Sequence, residues 1–157
     1  MICIVTALHA EAQPIIENYH LKKSCEVSAF EYFCGDALEL IVCGVGKVRA
    51  AAATSFILKD RAHDGRLLAF NIGVCGAKKD YPIGSLFLCN KLTDYSAGRS
   101  FYPDILFKHN LREAALHTFD RPLCGEPPGE AIELADMEGS AFFQAASLFL
   151  GPHQIFS

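Results

Sequence analysis

Two carboxylates stand where acid–base or hydroxyl-binding chemistry is at home. Glu11 lies in the first turns of a helix-like segment that directly follows an apolar stretch, residues 1–7. Alone, it reads as a solvated helix-start carboxylate, a placement that the helix dipole favours. Glu138 differs, because within an apolar helical run its neighbours at i+3 and i+4 are Ala141 and Phe142. A carboxylate there must reach the rim or find polar partners, since burying it unpaired is costly, and ligand hydroxyls are one such partner. A third segment, Gly44-Val45-Gly46-Lys47, follows an apolar run and opens an alanine-rich one. Exposed backbone N–H groups at such a helix start attract anions. Both standard phosphate loops fail here, however: a Walker loop needs Ser or Thr where Val48 stands, and the dinucleotide fingerprint needs a small residue where Arg49 stands. The segment reads as a turn that brings backbone and helix close together.

Other chemistries find little support. The seven cysteines, Cys3, Cys25, Cys34, Cys43, Cys75, Cys89 and Cys124, show no CxxC spacing, and the six histidines form no HxxxH or HExxH. The cysteines read as small buried thiols in a reducing cytoplasm, and no metal is assigned. With 14 Lys and Arg against 18 Asp and Glu, and basic pairs only at Lys22-Lys23 and Lys78-Lys79, no nucleic-acid footprint is visible. The longest apolar runs are far shorter than the roughly 18 residues of a membrane span, and nothing resembles a secretory leader.

The elements that must position these residues alternate between strand and helix. Residues 1–7 read as a buried strand and 9–19 as a helix with Pro14 early in it. Residues 31–34 and 37–43 flank Gly35-Asp36, a hairpin signature. Residues 47–58 have high helix propensity. Residues 67–72 and 83–89 read as further strands, and 93–128 as irregular with a short helix at 110–118. A strong helix is expected over 136–150, where Met137, Ala141, Phe142, Ala145, Leu148 and Phe149 repeat with helical period. Asp94 and Asp104 read as turn formers. With 51% hydrophobic residues over 157 positions, one domain with a full core is expected. The class is α/β, three-layered, with a mixed central sheet flanked by helices. Ligands of such sheets bind beyond the carboxyl ends of the strands, which here hold Glu11, Gly44-Val45-Gly46, Gly73–Gly76 and Asp136-Met137-Glu138.

Four segments in this order carry a resemblance: Ala7-Leu8-His9-Ala10-Glu11, Gly44-Val45-Gly46-Lys47-Val48-Arg49-Ala50-Ala51, Asn71-Ile72-Gly73-Val74-Cys75-Gly76 and Asp136-Met137-Glu138-Gly139-Ser140-Ala141. Together they resemble the successive motifs of the nucleoside phosphorylase/nucleosidase superfamily, nearest the methylthioadenosine/S-adenosylhomocysteine nucleosidases. The resemblance implies a phosphorylase/hydrolase-like fold and cleavage of a purine nucleoside N-glycosidic bond through an oxocarbenium-like ribosyl transition state. It implies that Glu11 activates the attacking water. It also implies that Glu138 accepts hydrogen bonds from the ribose hydroxyls while Met137 packs on the sugar. Asp136, Val74, Cys75 and Gly76 complete the implied substrate-binding set. Neither a metal nor an organic cofactor is implied, and the partners are a small nucleoside, water and further copies of the chain in a cytoplasmic homodimer or higher oligomer. Phe101 and Tyr102 read as loop packing, with subunit contact as the alternative.

Phosphorylases of this superfamily use an Arg and a Ser that would fall at Asn71 and Val74, and neither donor is present. Glu11 would also repel a phosphate dianion. Hydrolysis is therefore favoured, with a phosphate-dependent phosphorylase as the alternative and a non-catalytic nucleoside-binding protein as the second. Lys47 and Arg49 read as surface or interface charges. Two departures stand out. The segment 119–133, with Gly125-Glu126-Pro127-Pro128-Gly129, is shorter than the family's base-covering segment, leaving Phe119 as a weak candidate wall. Relatives also begin a core strand where this sequence has Gln154-Ile155-Phe156-Ser157, followed by a Ser-Asp motif whose Asp protonates the leaving base and by a final helix. No residue here matches that Asp. The expectation is one nucleosidase/phosphorylase-like domain over residues 1–157, C-terminally incomplete, lacking the family's last strand and helix and impaired on its own.

Overall fold

Continuous apolar, β-branched stretches make strands that are buried on both faces, and residues 3–6 do so. The structure is a computed structural model that describes residues 1–24, 29–61, 65–124 and 132–157. In it β1 (Ile2–Thr6) lies inside a six-stranded sheet, between β4 (Leu38–Val42) and β5 (Leu68–Asn71), parallel to both. Alternation decides which side chain meets which layer. Cys3, Val5, Ile41 and Cys43 face the main core with Leu58, Leu92, Leu134, Phe142 and Ile155. Ile4, Leu40 and Val42 face the opposite way, toward Ala12 of α1 (His9–Asn18). The hairpin expected at Gly35-Asp36 joins β3 (Glu31–Cys34) to β4, and β2 (Lys22–Ser24) adds an antiparallel edge. At the other edge β11 (Ile155–Phe156) pairs parallel with β5.

The second sheet was only partly foreseen. Its order is β6 (Gly76–Ala77), β10 (Leu134–Asp136), β9 (Arg112–Thr118), β7 (Phe87–Asp94) and β8 (Arg99–Phe101). The strand expected over 83–89 begins later, because Ile83 and Leu86 lie exposed around Gly84, whose φ is 84°. The short helix expected at 110–118 is instead β9. Glu, Ala and Leu give Arg112–Thr118 a helical composition, but pairing in parallel with both β7 and β10 buries Ala114, Leu116 and Thr118 in alternation. Tertiary burial overrides propensity there. The closing helix is also shorter than expected: α3 spans Gly139–Ala146, while Asp136 ends β10.

The helices α2 (Lys47–Leu58), on the six-stranded sheet, and α3, which touches both sheets, pack on each other through small residues. Ala50 and Ala53 on one helix and Ala141, Ala145 and Ala146 on the other are buried, letting the axes approach closely. Among the described residues, mixed sheets flanked by three α-helices realise the expected α/β class. Among the described residues no helix is long and apolar enough to cross a membrane. Of the cysteines, Cys3, Cys43 and Cys89 are buried as expected, and burial pushes each thiol up to about 12. Cys75 and Cys124 are exposed instead, because both sit in loops beyond the sheets, and Cys25 lies outside the described residues.

One charge pair is built into the six-stranded sheet. Glu39, facing inward from β4, accepts hydrogen bonds from the Arg61 guanidinium at 2.6 Å and from the Tyr32 hydroxyl. Glu39 keeps only 10% of its side chain exposed and Arg61 26%. Removing one partner of such a pair leaves the other uncompensated. Glu39→Ala is expected to cost about 3 kcal/mol, the low end for a broken buried pair because Arg61 still reaches water, measured as a lowered urea midpoint at unchanged slope.

Candidate active site

The helix α1 starts without a side-chain cap of its own, because Leu8, at the capping position, has no acceptor. Glu11, three residues on, reaches back to supply one. Its Oε2 accepts the N–H groups of Leu8 at 2.8 Å and Ala7 at 3.0 Å. A further donor comes from a different strand end: the Val74 N–H, beyond β5, meets Oε1 at 3.0 Å. That approach depends on Gly73, where a Cβ would lie 3.2 Å from Oε1. The helix-start carboxylate read from the sequence is therefore bound by the helix start itself. A carboxylate offers about four acceptor directions, so three backbone donors fix Glu11 and leave one direction open.

Glu138 is fixed from two sides. Where β10 ends, Asp136 turns its carboxylate inward, and Oδ2 accepts the N–H groups of Gly139 at 2.6 Å and Glu138 at 3.2 Å. Its Oδ1 accepts the Thr118 hydroxyl at 2.7 Å, and Thr118 in turn accepts the Ser140 N–H at 2.9 Å. Asp136 thus caps α3 and shapes the Met137-Glu138 turn. The Glu138 carboxylate takes the Gly46 N–H at 2.6 Å on Oε1 and the Met137 N–H at 3.3 Å on Oε2. Gly46 delivers that N–H from a φ of 106°, and Gly44 stands at 83°, conformations that glycine adopts without strain. The glycine turn read from sequence is thus an N–H donor to a carboxylate of the protein itself.

Burial raises the Glu138 carboxyl above the ordinary glutamate range, and the Gly46 hydrogen bond offsets this only in part while the charges of Asp136 and Glu11 add to it. Burial likewise raises Asp136. The Cys43 thiol, behind the glycine turn, feels both Glu138 and Glu11. Three carboxylates from two strand ends, and a thiol from a third, therefore share one electrostatic neighbourhood.

Val74 contributes its backbone while its side chain is 78% exposed, Gly76 pairs with Ala135 beside the Asp136 turn, and Cys75 lies between them, within range of the Asp136 charge. Met137 is half-buried next to Glu138. Phe119 is buried against Tyr95, ring centroids 4.5 Å apart. Of its neighbours in the covering segment, residues 125–131 lie outside the described residues. Of the two residues read as surface or interface charges, Arg49 is exposed, whereas Lys47 is largely buried. Lys47 pairs with Asp94 and Asp120, and Arg49 donates to the Cys43 carbonyl at 2.6 Å with its guanidinium over the Phe30 ring. The turn read at Asp94 is present, since its carboxylate accepts the Ala97 N–H at 3.1 Å. The roles of Thr118, Gly46 and the Lys47 pairs were missed. Among the described residues no group of His, Cys, Asp and Glu is arranged to hold a metal.

The folded protein holds the Glu138 proton more tightly than the unfolded chain does. Its contribution to stability is therefore present below about pH 4, the unfolded glutamate value, and is lost as pH rises through the raised folded value. Carbon-13 NMR of the Glu138 carboxyl is expected to give a midpoint above the ordinary range. Glu138→Gln is expected to match or exceed the native chain in urea stability near neutral pH, with that advantage narrowing toward about pH 4.

No protein-family model and no curated protein matches the chain. Solved structures do. An S-adenosylhomocysteine nucleosidase of Streptococcus pyogenes, in complex with 5-methylthiotubericidin, is 21% identical with a TM-score of 0.79, over 99% of this chain and 80% of that one. The methylthioadenosine/S-adenosylhomocysteine nucleosidase of Neisseria meningitidis, in complex with methylthio-immucillin-A, is 18% identical with a TM-score of 0.79, over 99% and 82%. That of Colwellia psychrerythraea, in complex with adenine, is 19% identical with a TM-score of 0.78, over 99% and 79%. At these identities the likeness establishes the architecture: the chain has the fold of the methylthioadenosine/S-adenosylhomocysteine nucleosidases, as the four sequence motifs implied.

Proposed function

We propose that this chain is a nucleosidase-type domain that binds a purine nucleoside and hydrolyses its N-glycosidic bond. The observation that carries the reading is the pair Glu11 and Glu138. Both are tethered by backbone N–H groups at the carboxyl ends of neighbouring strands, and Glu138 feels the charge of Glu11. In this reading Glu138 accepts the ribose 2′- and 3′-hydroxyls, replacing with charge-assisted hydrogen bonds the water that burial removes. Met137 lies under the sugar. Glu11 uses its open acceptor direction to take a proton from water as the oxygen adds to C1′ and the bond to the base nitrogen breaks, its electron pair leaving with the base. A positive ribosyl centre developing between two carboxylates is stabilised through space, in the manner of glycosidase sites.

Charge also favours water over phosphate. Lys47, which follows the glycine turn, is already paired with Asp94 and Asp120, and Arg49 turns its Nε–H onto the Cys43 carbonyl. A phosphate dianion would face three acidic side chains instead. Asp136, with both oxygens accepting internal donors, acts in this reading through the turn that carries Glu138, while Val74, Cys75 and Gly76 line the approach with backbone. The reading assigns residues 1–157 the sugar half of the chemistry, through Glu11 and Glu138. The same reading carries the expectations of a cytoplasmic homodimer or higher oligomer with no metal or organic cofactor.

Incubation with methylthioadenosine, adenosine and inosine, with and without phosphate, tests it. Free sugar and base without phosphate are expected, and sugar 1-phosphate formed only with phosphate would assign a phosphorylase instead. Binding without turnover would assign a nucleoside-binding protein. Glu11→Gln is expected to lower the hydrolytic rate by about 10²–10⁴ with ligand affinity retained. Glu138→Gln is expected to weaken ligand binding, and unchanged affinity in that variant would remove Glu138 from the site.

A further inference from the structure

Lysine is a poor first residue for a helix, because that end already carries partial positive charge. Lys47 nonetheless opens α2, with its side chain only 17% exposed. Its ammonium lies 2.7 Å from Asp94 Oδ1 and 2.8 Å from Asp120 Oδ1. Asp94 ends β7 and is itself nearly buried, while Asp120 follows β9, reaches solvent and also accepts the Ser96 hydroxyl. Burial disfavours the ammonium, yet the two carboxylates outweigh it and hold Lys47 above its ordinary range. One cation thus ties the helix that follows the six-stranded sheet to two strand ends of the other sheet.

The residue immediately before Lys47 is Gly46, whose N–H is the shortest contact of Glu138. Gly46 is held through its backbone alone: nothing lies within 4 Å of where its Cβ would stand, its φ is positive, and its carbonyl accepts the Ala50 N–H at 3.0 Å. Glycine has the widest backbone freedom of any residue, so the 2.6 Å hydrogen bond from its N–H depends on what fixes the residues on either side. Its turn is pinned upstream, where Arg49 donates to the Cys43 carbonyl, and downstream by Lys47. From Asp94 the connection returns to Glu138. The Tyr95 N–H donates to the Thr118 carbonyl at 3.0 Å, the Thr118 hydroxyl donates to Asp136, and Asp136 accepts the Glu138 N–H. Glu138 therefore sits in a closed circuit in which Lys47 is the only link made by an ion pair.

We propose that Lys47 is a positioning residue for Glu138: by anchoring the start of α2 to Asp94 and Asp120, it holds the Gly46 N–H on the Glu138 carboxylate. Its consequence for ligand binding rests on the sugar-site reading above, whereas the coupling itself does not. The groups that face Glu138 are Asp136 from β10, Glu11 from α1 and Cys43 beyond β4.

Proton and nitrogen NMR of the Gly46 amide reads the coupling without ligand. In the native chain the resonance is expected to shift with pH as Glu138 takes its proton, and Glu138→Gln is expected to abolish that shift, assigning it. Lys47→Met, which keeps the stem and removes the charge, is expected to at least halve the shift and to raise the Kd for methylthioadenosine about tenfold. Lys47→Arg is expected to restore most of both. A Lys47→Met chain that melts lower but keeps the native shift and affinity would make the ion cluster purely structural and overturn the proposal. Should Lys47→Met not fold, Lys47→Gln and Asp120→Asn read the same two quantities, and native values in both overturn it equally. If Glu138→Gln binds methylthioadenosine as the native chain does, the sugar-site reading fails, and the Gly46 shift still decides the role of Lys47.

Discussion

A carboxylate that leaves bulk water needs donors, and a backbone that leaves a strand needs acceptors. The site is built where these two needs meet. At the carboxyl ends of β1, β4, β5 and β10 the chain must turn, and each turn leaves N–H groups that no ladder satisfies. Glu11 takes those of Ala7, Leu8 and Val74, and Glu138 takes those of Gly46 and Met137. Each carboxylate is therefore held by peptide groups rather than by cations. That choice matters for chemistry. A carboxylate neutralised by lysine or arginine has little field left for a positive transition state, whereas one tethered by N–H dipoles keeps its full charge.

The same arrangement is costly to the fold. Asp136 and Glu138 are both raised by burial, and Glu138 is pushed further by the charges of Asp136 and Glu11. Concentrating like charges at one rim opposes folding, and functional sites are where such strain is tolerated. The compensation lies beneath the rim. Two closely packed alanine-rich helix faces, a sheet buried on both sides and Phe142 wholly enclosed between them supply the burial that lets the strand ends carry unfavourable groups.

Legibility in the sequence followed the same division. The strand at Ile2–Thr6, the hairpin around Gly35-Asp36 and the helix Lys47–Leu58 were readable because local pattern and global burial agree there. Arg112–Thr118 was not, since its helical composition loses to two parallel neighbours that no local window contains. At the site, the residue types of Glu11 and Glu138 were visible, as was the glycine turn. What that turn holds was not, because the donor to Glu138 is a backbone N–H 92 positions away. Lys47 did leave a trace: a lysine at the first position of a helix contradicts the dipole, and two aspartates, Asp94 and Asp120, stand just where strands end. A residue that breaks a local rule marks a tertiary partner.

That trace bears on how sites of this kind are assembled. Glu138 belongs to the five-stranded sheet and the helix that follows it, Glu11 and Gly46 to the six-stranded one. Their relative placement is therefore a property of how two sheets meet, not of either alone. Apolar packing between α2 and α3 sets that meeting only coarsely, since small side chains make a smooth contact that tolerates sliding. Directional groups have to supply the rest. The Gly46 to Glu138 hydrogen bond and the Lys47 ion pairs are such groups, and both cross the seam within one residue of each other. A displacement of the sheets that the core would accept would break both together, so the geometry of the two carboxylates is tied to the register of the whole domain.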